Sequence, residues 1–166
     1  MKKLTVLLVL AMLLGTSAVS FAASISPEIE GIYWSRGSAF AIGGGALIKL
    51  SPLGGLRARA GYTATAGKGY IVLIDGVMTY PINPKAELVV GGGMNYCDSN
   101  VTGNNAAIGG QFYVGINAKV SEKIGIFVDA GWINIGTKTT VGTITATTRT
   151  NDFTMAFGLR ANLSEE

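Results

Sequence analysis

The stretch from Asn151 to Leu163 alternates between two kinds of side chain. Apolar residues occupy every second position from Phe153 onward, and polar or small residues occupy the positions between them. Successive side chains of a strand point to opposite faces, so this period of two predicts a β-strand with one apolar face and one polar face. Its length matches the roughly 9–11 residues that a tilted strand needs to cross a bilayer.

The same alternation recurs upstream, with turn residues between the segments, and gives about eight strands in all. Compact turns fall at residues 51–55, 83–86 and 121–123, whereas the two longest connections, 97–105 and 136–151, lie at the opposite end. Short turns at one end and longer loops at the other are typical of transmembrane barrels. The pattern therefore predicts an all-β fold, an eight-stranded antiparallel up-and-down transmembrane β-barrel with a polar, side-chain-filled interior.

The first 23 residues differ from the rest of the chain. A basic start at Lys2 and Lys3 precedes an apolar run over residues 4–14, and Ser20–Phe21–Ala22 has the small-x-small form of a cleavage site. This is the arrangement of a secretory signal peptide, and the apolar run is shorter than the roughly 20 residues of a membrane-spanning helix. We expect residues 1–23 to be a cleaved leader and residues 24–166 to form one barrel domain.

The composition supports a membrane barrel and argues against a nucleic-acid-binding protein. Charged residues make up 14% of the chain, against about 25% in a typical soluble domain. Beyond the leader the hydrophobic residues are spread through alternating segments, which is the weak signal that a transmembrane barrel gives. Without Lys2 and Lys3, eleven basic residues face ten acidic ones. Nucleic acid is therefore not an expected partner.

Nearly all strand charges fall on the faces opposite the apolar ones. In a narrow barrel these faces point into the lumen, where charges persist only when they are paired and hydrogen-bonded. We predict an interior ion-pair network formed by Glu28, Glu30, Lys49, Arg57, Arg59, Asp75, Glu87, Lys119, Asp129 and Arg160.

Aromatic residues gather towards the long-loop end of the strands. At a common height they would form a girdle at one membrane interface, where amphipathic rings prefer to lie. The alternative is ordinary strand aromatics, which strands favour in any case. The predicted girdle consists of Tyr33, Phe40, Tyr62, Tyr70, Tyr96, Trp132 and Phe153.

No pattern indicates catalysis. The chain has no His, so a Ser–His–Asp triad is impossible, and no metal-ligand cluster is present in the sequence. The glycine runs at 43–45 and 91–93 lack the strand-to-helix context of a phosphate loop, and glycines relieve crowding in curved sheets. Cys97 is the single cysteine, so no internal disulfide can form. We expect no enzyme activity and no cofactor.

With its leader, its eight alternating strands, its short turns containing Pro and Asn, and the closing FTMAFGLRANL, the chain resembles the small outer-membrane β-barrel superfamily. That group includes the OmpA transmembrane domain and the OmpX-like, OmpW-like and opacity-type proteins. The resemblance implies residence in the bacterial outer membrane, with the lipid bilayer as its surroundings, and a role in envelope structure, adhesion or limited solute passage. Such barrels usually end in an aromatic residue, whereas Leu163 lies near that place here.

Three functions remain open at this point. The first is a non-enzymatic, monomeric outer-membrane protein with a structural or surface-interaction role. Its surface contacts would come from the 136–151 loop, with Lys138, Thr139, Thr140 and Arg149; the Thr-rich alternation there suggests a β-ribbon whose exposed edge recruits a partner strand. The second is a narrow porin-like channel. The third is a soluble lipocalin-like carrier, with the apolar face inward around a ligand.

Overall fold

A computed structural model describes residues 24–35, 39–63, 69–99, 104–141 and 143–161. The predicted leader, residues 1–23, and Leu163 near the C-terminus lie outside the described residues. Within the described ranges, no helix is long and apolar enough to span a membrane.

Eight antiparallel strands form a single closed barrel, in which each strand pairs with its neighbours in the sequence and the first pairs with the last. This confirms the predicted fold class. The strands are β1 (Ser24–Trp34), β2 (Ala39–Ser51), β3 (Gly54–Thr63), β4 (Gly69–Asn83), β5 (Ala86–Ser99), β6 (Asn104–Lys119), β7 (Ile124–Val141) and β8 (Ile144–Ala161).

The two longest strands, β7 and β8, stay paired from Ile124 opposite Ala161 to Val141 opposite Ile144. On one side, β8 pairs with β1 only as far as Thr154, which lies opposite Trp34. On the other side, β7 pairs with β6 as far as Thr139, which lies opposite Asn104. The connection expected as a loop over residues 136–151 is therefore a strand pair, as its Thr-rich alternation indicated, and it is two-stranded beyond Thr139. We call these residues the β7–β8 ribbon, and we name the two ends of the barrel the ribbon end and the turn end.

The apolar face of each strand points outward. Ile42, Phe112 and Leu159 are 60%, 60% and 54% exposed, whereas Arg57 on an opposite face is 1% exposed. This arrangement is the reverse of a soluble carrier, which would bury the apolar face and leave the charges in water. Exposed apolar side chains of this kind occur on all eight strands.

The interior contains apolar side chains as well as polar ones. The upper apolar layer, towards the ribbon end, consists of Ile32, Trp34, Ala41, Ile71, Leu73, Ile133 and Ala156. The lower apolar layer, towards the turn end, consists of Leu47, Val77, Val89 and Tyr113. The interior of an eight-stranded barrel is just wide enough to be filled by side chains. The two layers fill the parts of the interior that the charged side chains leave empty.

Candidate functional site

The middle of the barrel holds seven charged side chains, all buried. This central charge cluster consists of Glu28, Glu30, Arg57, Arg59, Asp75, Asp129 and Arg160. Strand alternation sends each of them inward, and the strand register brings them to neighbouring levels. Two oppositely charged pairs lie directly across neighbouring strands, Glu28 opposite Arg160 and Arg57 opposite Asp75.

Arg57 joins three strands across the lumen. Its Nε donates to Glu28 Oε2 at 2.7 Å, and its Nη1 donates to Asp129 Oδ2 at 2.5 Å. Its Nη2 lies 3.8 Å from Glu30 Oε2. One guanidinium therefore ties β3 to both β1 and β7, the two strands that flank β8.

Arg59 and Arg160 complete the pairing. Arg59 donates to Asp75 Oδ2 at 2.7 Å and to Glu30 Oε2 at 3.3 Å, while Arg160 Nε donates to Glu28 Oε1 at 2.6 Å. Every carboxylate of the cluster thus contacts a guanidinium. Charges buried to this degree are stable only with such partners, since desolvation costs several kcal/mol per ion.

Two aromatic rings contact the three arginines. The ring of Phe127 lies 4.4 Å from the guanidinium carbon of Arg57 and 5.4 Å from that of Arg160. The ring of Tyr113 lies 5.0 Å from Arg59 and 5.7 Å from Arg57. A ring face attracts a cation. The two rings therefore give the guanidinium groups favourable contacts that offset part of the repulsion between these like charges.

Glycines leave the space that these large side chains occupy. A Cβ at Gly91 would overlap the ring of Tyr113, and a Cβ at Gly45 would lie 3.0 Å from Arg59 Cγ. Gly45 lies on β2, between the strands of Arg59 and Glu30. Its missing side chain lets Arg59 extend across β2 to reach that carboxylate. The two glycine runs thus have packing roles at these positions.

The other three residues of the predicted network lie outside the cluster. Lys49 Nζ is 3.1 Å from Glu87 Oε1, and the two half-buried side chains form a separate pair towards the turn end. Lys119 ends β6 and is exposed, and among the described residues it makes no ion pair. The structure thus divides the ten predicted residues into a cluster of seven, a pair and a single surface lysine.

The lumen is closed by packing. A cavity of about 20 Å³ remains between the cluster and the upper apolar layer, lined in part by Arg59, Gln111, Asp129 and Ile133. That is room for roughly one water molecule. Within the part of the chain that the structure describes, no three His, Cys, Asp or Glu side chains are placed to hold a metal ion.

The residues of the predicted aromatic girdle lie on the outer face. Three direct cross-strand pairs join them: Tyr33 with Phe40, Tyr62 with Tyr70, and Trp132 with Phe153. Tyr96 packs 6.0 Å from Tyr70, centroid to centroid. The prediction left Phe112 and Phe157 out of the girdle. Phe112 stacks on Trp132, and Phe157 packs against Phe40 with the two rings tilted by 31°.

The structure places the predicted surface residues on strands. Lys138, Thr139 and Thr140 belong to β7, and Arg149 belongs to β8 opposite Gly136. Phe127 is the main lumen residue that sequence reasoning missed. The signal was available, because Phe127 shares the inward face with Asp129 two positions later.

A closed antiparallel barrel of eight strands, apolar outside and packed with paired charges inside, is the architecture of a membrane β-barrel. Solved structures share this fold at low sequence identity. The N-terminal β-barrel domain of Pseudomonas aeruginosa OprF has a TM-score of 0.63 at 14% identity, covering 84% of this chain and 97% of that one. Neisserial surface protein A has a TM-score of 0.54 at 14% identity, covering 85% of this chain and 96% of that one.

A de novo designed transmembrane β-barrel is similar to the same degree, with a TM-score of 0.63 at 18% identity over 84% of this chain and 95% of its own. The predicted resemblance to small outer-membrane barrels is thereby confirmed at the level of the fold. No protein-family model matches the sequence, and no curated protein sequence matches it.

Proposed function

We propose that this chain is a non-enzymatic, monomeric outer-membrane β-barrel protein, exported with a cleaved leader, whose role is structural and surface-interacting. The outward apolar faces and the fold shared with outer-membrane barrels support membrane residence. The pairs of outward aromatic rings support a girdle at the membrane interface. The lipid bilayer is then its main partner.

The filled lumen is the observation that carries this proposal. A solute crossing the barrel would have to displace Arg57 and its carboxylate partners, and it would also have to push through the upper and lower apolar layers. Breaking one buried ion pair costs about 3–5 kcal/mol. This barrier favours a structural role over the narrow-channel alternative.

The β7–β8 ribbon supports a surface-interaction role. Ser35 N donates to Phe153 O, so the carbonyl of Phe153 faces β1 and away from β7. Alternate residues of a strand share this direction, which places the backbone groups of Thr147, Arg149 and Asn151 on the same edge. Among the described residues, no strand pairs with that edge over these positions. An open edge of this kind accepts an extended partner segment.

Planar-bilayer recording tests the filled lumen. Purified protein should insert and give no steady, sizeable conductance, because the central charge cluster and the two apolar layers fill the lumen. Insertion is verified in parallel by a heat-dependent shift in gel mobility of the same preparation. Steady conductance from inserted protein would contradict the proposal and favour a narrow porin-like channel.

A further inference from the structure

We infer that the outer face of β7 and β8 at the ribbon end binds the phosphate headgroup of an anionic membrane lipid, with Arg149 as the cation. The inference rests on the membrane residence proposed above. It assigns a lipid class to one face of the barrel, where the proposed function requires only a generic bilayer.

Along the outer face of β7 and β8, aromatic side chains are followed by amide side chains towards the ribbon end. Phe112, Trp132 and Phe153 form a continuous group of rings, with centroids 6.3 Å and 5.0 Å apart. The next outward pair is Asn134 with Asn151, joined by a 2.6 Å hydrogen bond from Asn134 Nδ2 to Asn151 Oδ1. Aromatic rings favour the level of the lipid headgroups. The amides of Asn134 and Asn151 lie next to the rings on the ribbon side, where they can hydrogen-bond to polar groups of the lipid.

Arg149 follows on the same face. It lies four residues from Phe153, which is about 13 Å along a strand and about 10 Å along the membrane normal at the usual tilt. Its side chain is exposed, and its alkyl stem is long enough to extend back towards the headgroups. An arginine is well suited to phosphate because its planar fork matches two phosphate oxygens.

The local charge is positive. Asp152 lies on the opposite face, where it is buried and accepts a 2.7 Å hydrogen bond from Ser35 Oγ. It is therefore not placed to neutralise Arg149 on the outer face. Continuity with the ring group and complementary charge together indicate an anionic lipid as the occupant.

Trp132 provides the measurement. The chain has two tryptophans, and Trp34 is 3% exposed within the upper apolar layer. Only the fluorescence of Trp132 should therefore be quenched by brominated acyl chains. The Trp132→Phe variant gives the background fluorescence of Trp34. The protein is reconstituted in phosphatidylcholine vesicles that contain either brominated phosphatidylcholine or brominated phosphatidylglycerol at the same bromine content.

Brominated phosphatidylglycerol should compete for the Trp132 surface about fivefold better than brominated phosphatidylcholine, as expected for one basic residue near an anionic headgroup. Arg149→Gln should remove this preference. Lys85→Gln, at an exposed turn of the opposite end, should leave it unchanged. Millimolar inorganic phosphate should not abolish it.

Equal quenching by the two brominated lipids would overturn the inference while leaving membrane residence intact. A preference that survives Arg149→Gln would overturn the assignment to this residue, and loss of preference in free phosphate would overturn the choice of a lipid. Absence of quenching by either lipid would contradict the proposed function itself.

Discussion

Arg57 contacts several of the charged and aromatic side chains of the lumen. Its guanidinium contacts carboxylates from two strands, lies 4.4 Å from the ring of Phe127, and is 1% exposed. Replacing such a residue leaves its carboxylate partners buried without a counter-charge. Removing Arg57 therefore lowers the stability of the protein by more than the intact ion pairs contribute to it.

Arg57→Met should lower the free energy of unfolding by about 3–5 kcal/mol, because Glu28 and Asp129 lose their shared partner. Urea titration of the protein in lipid vesicles, followed by heat-dependent gel mobility, measures the change. Lys119→Met is the matched control, since Lys119 is exposed at the end of β6 and surface changes stay within about 0.5 kcal/mol. Equal stability of the two variants would contradict the role given to Arg57.

Alternation predicts which charges point inward but not which ones meet. Lys49, Glu87 and Lys119 share the polar faces with the cluster residues, yet they lie nearer the turn end. Contact across a barrel depends on strand tilt and register, and a single sequence does not specify these for non-neighbouring strands. The same limit applies to Phe127, whose inward direction was readable but whose position between two arginines was not.

At the scale of the element, the β7–β8 ribbon shows how a connection and a strand differ in the sequence. The spacing of the turns predicts a long connection over residues 136–151, whereas the Thr-rich alternation predicts a ribbon, and β-branched Thr is well accommodated in strands. The register agrees with the alternation, since Thr137 pairs with Thr148 and Thr140 with Thr145. β6 adds further pairing as far as Thr139 of β7.

The open edge of the ribbon can be tested by removing one backbone donor. The N–H of Thr147 faces away from β7, so Thr147→Pro should block an added strand while keeping the β7–β8 pairing, since Pro is tolerated at strand edges. A photoreactive residue at position 151 should crosslink to a surface partner in intact cells. The crosslink should disappear in Thr147→Pro and persist in Thr147→Ala. Crosslinking that survives the proline would contradict edge pairing.

For the whole molecule, the strand number, the closure and the direction of the two faces follow from periodicity and turn spacing. The upper and lower apolar layers are harder to predict from the sequence. Ile71, Leu73 and Val77 share an inward face with Asp75, and this mixture blurs the alternation of β4. A lumen filled by packing needs both kinds of side chain, so a purely polar inner face is not the pattern to expect for a closed barrel.

We infer that this chain is a folded membrane barrel with its apolar faces in lipid. Gel mobility of the outer-membrane fraction, boiled against unboiled, tests that claim most directly, because a closed barrel resists detergent until it is heated. We expect the protein in that fraction, with a heat-dependent shift in migration. Recovery of the protein in the soluble periplasm with no shift would contradict the account.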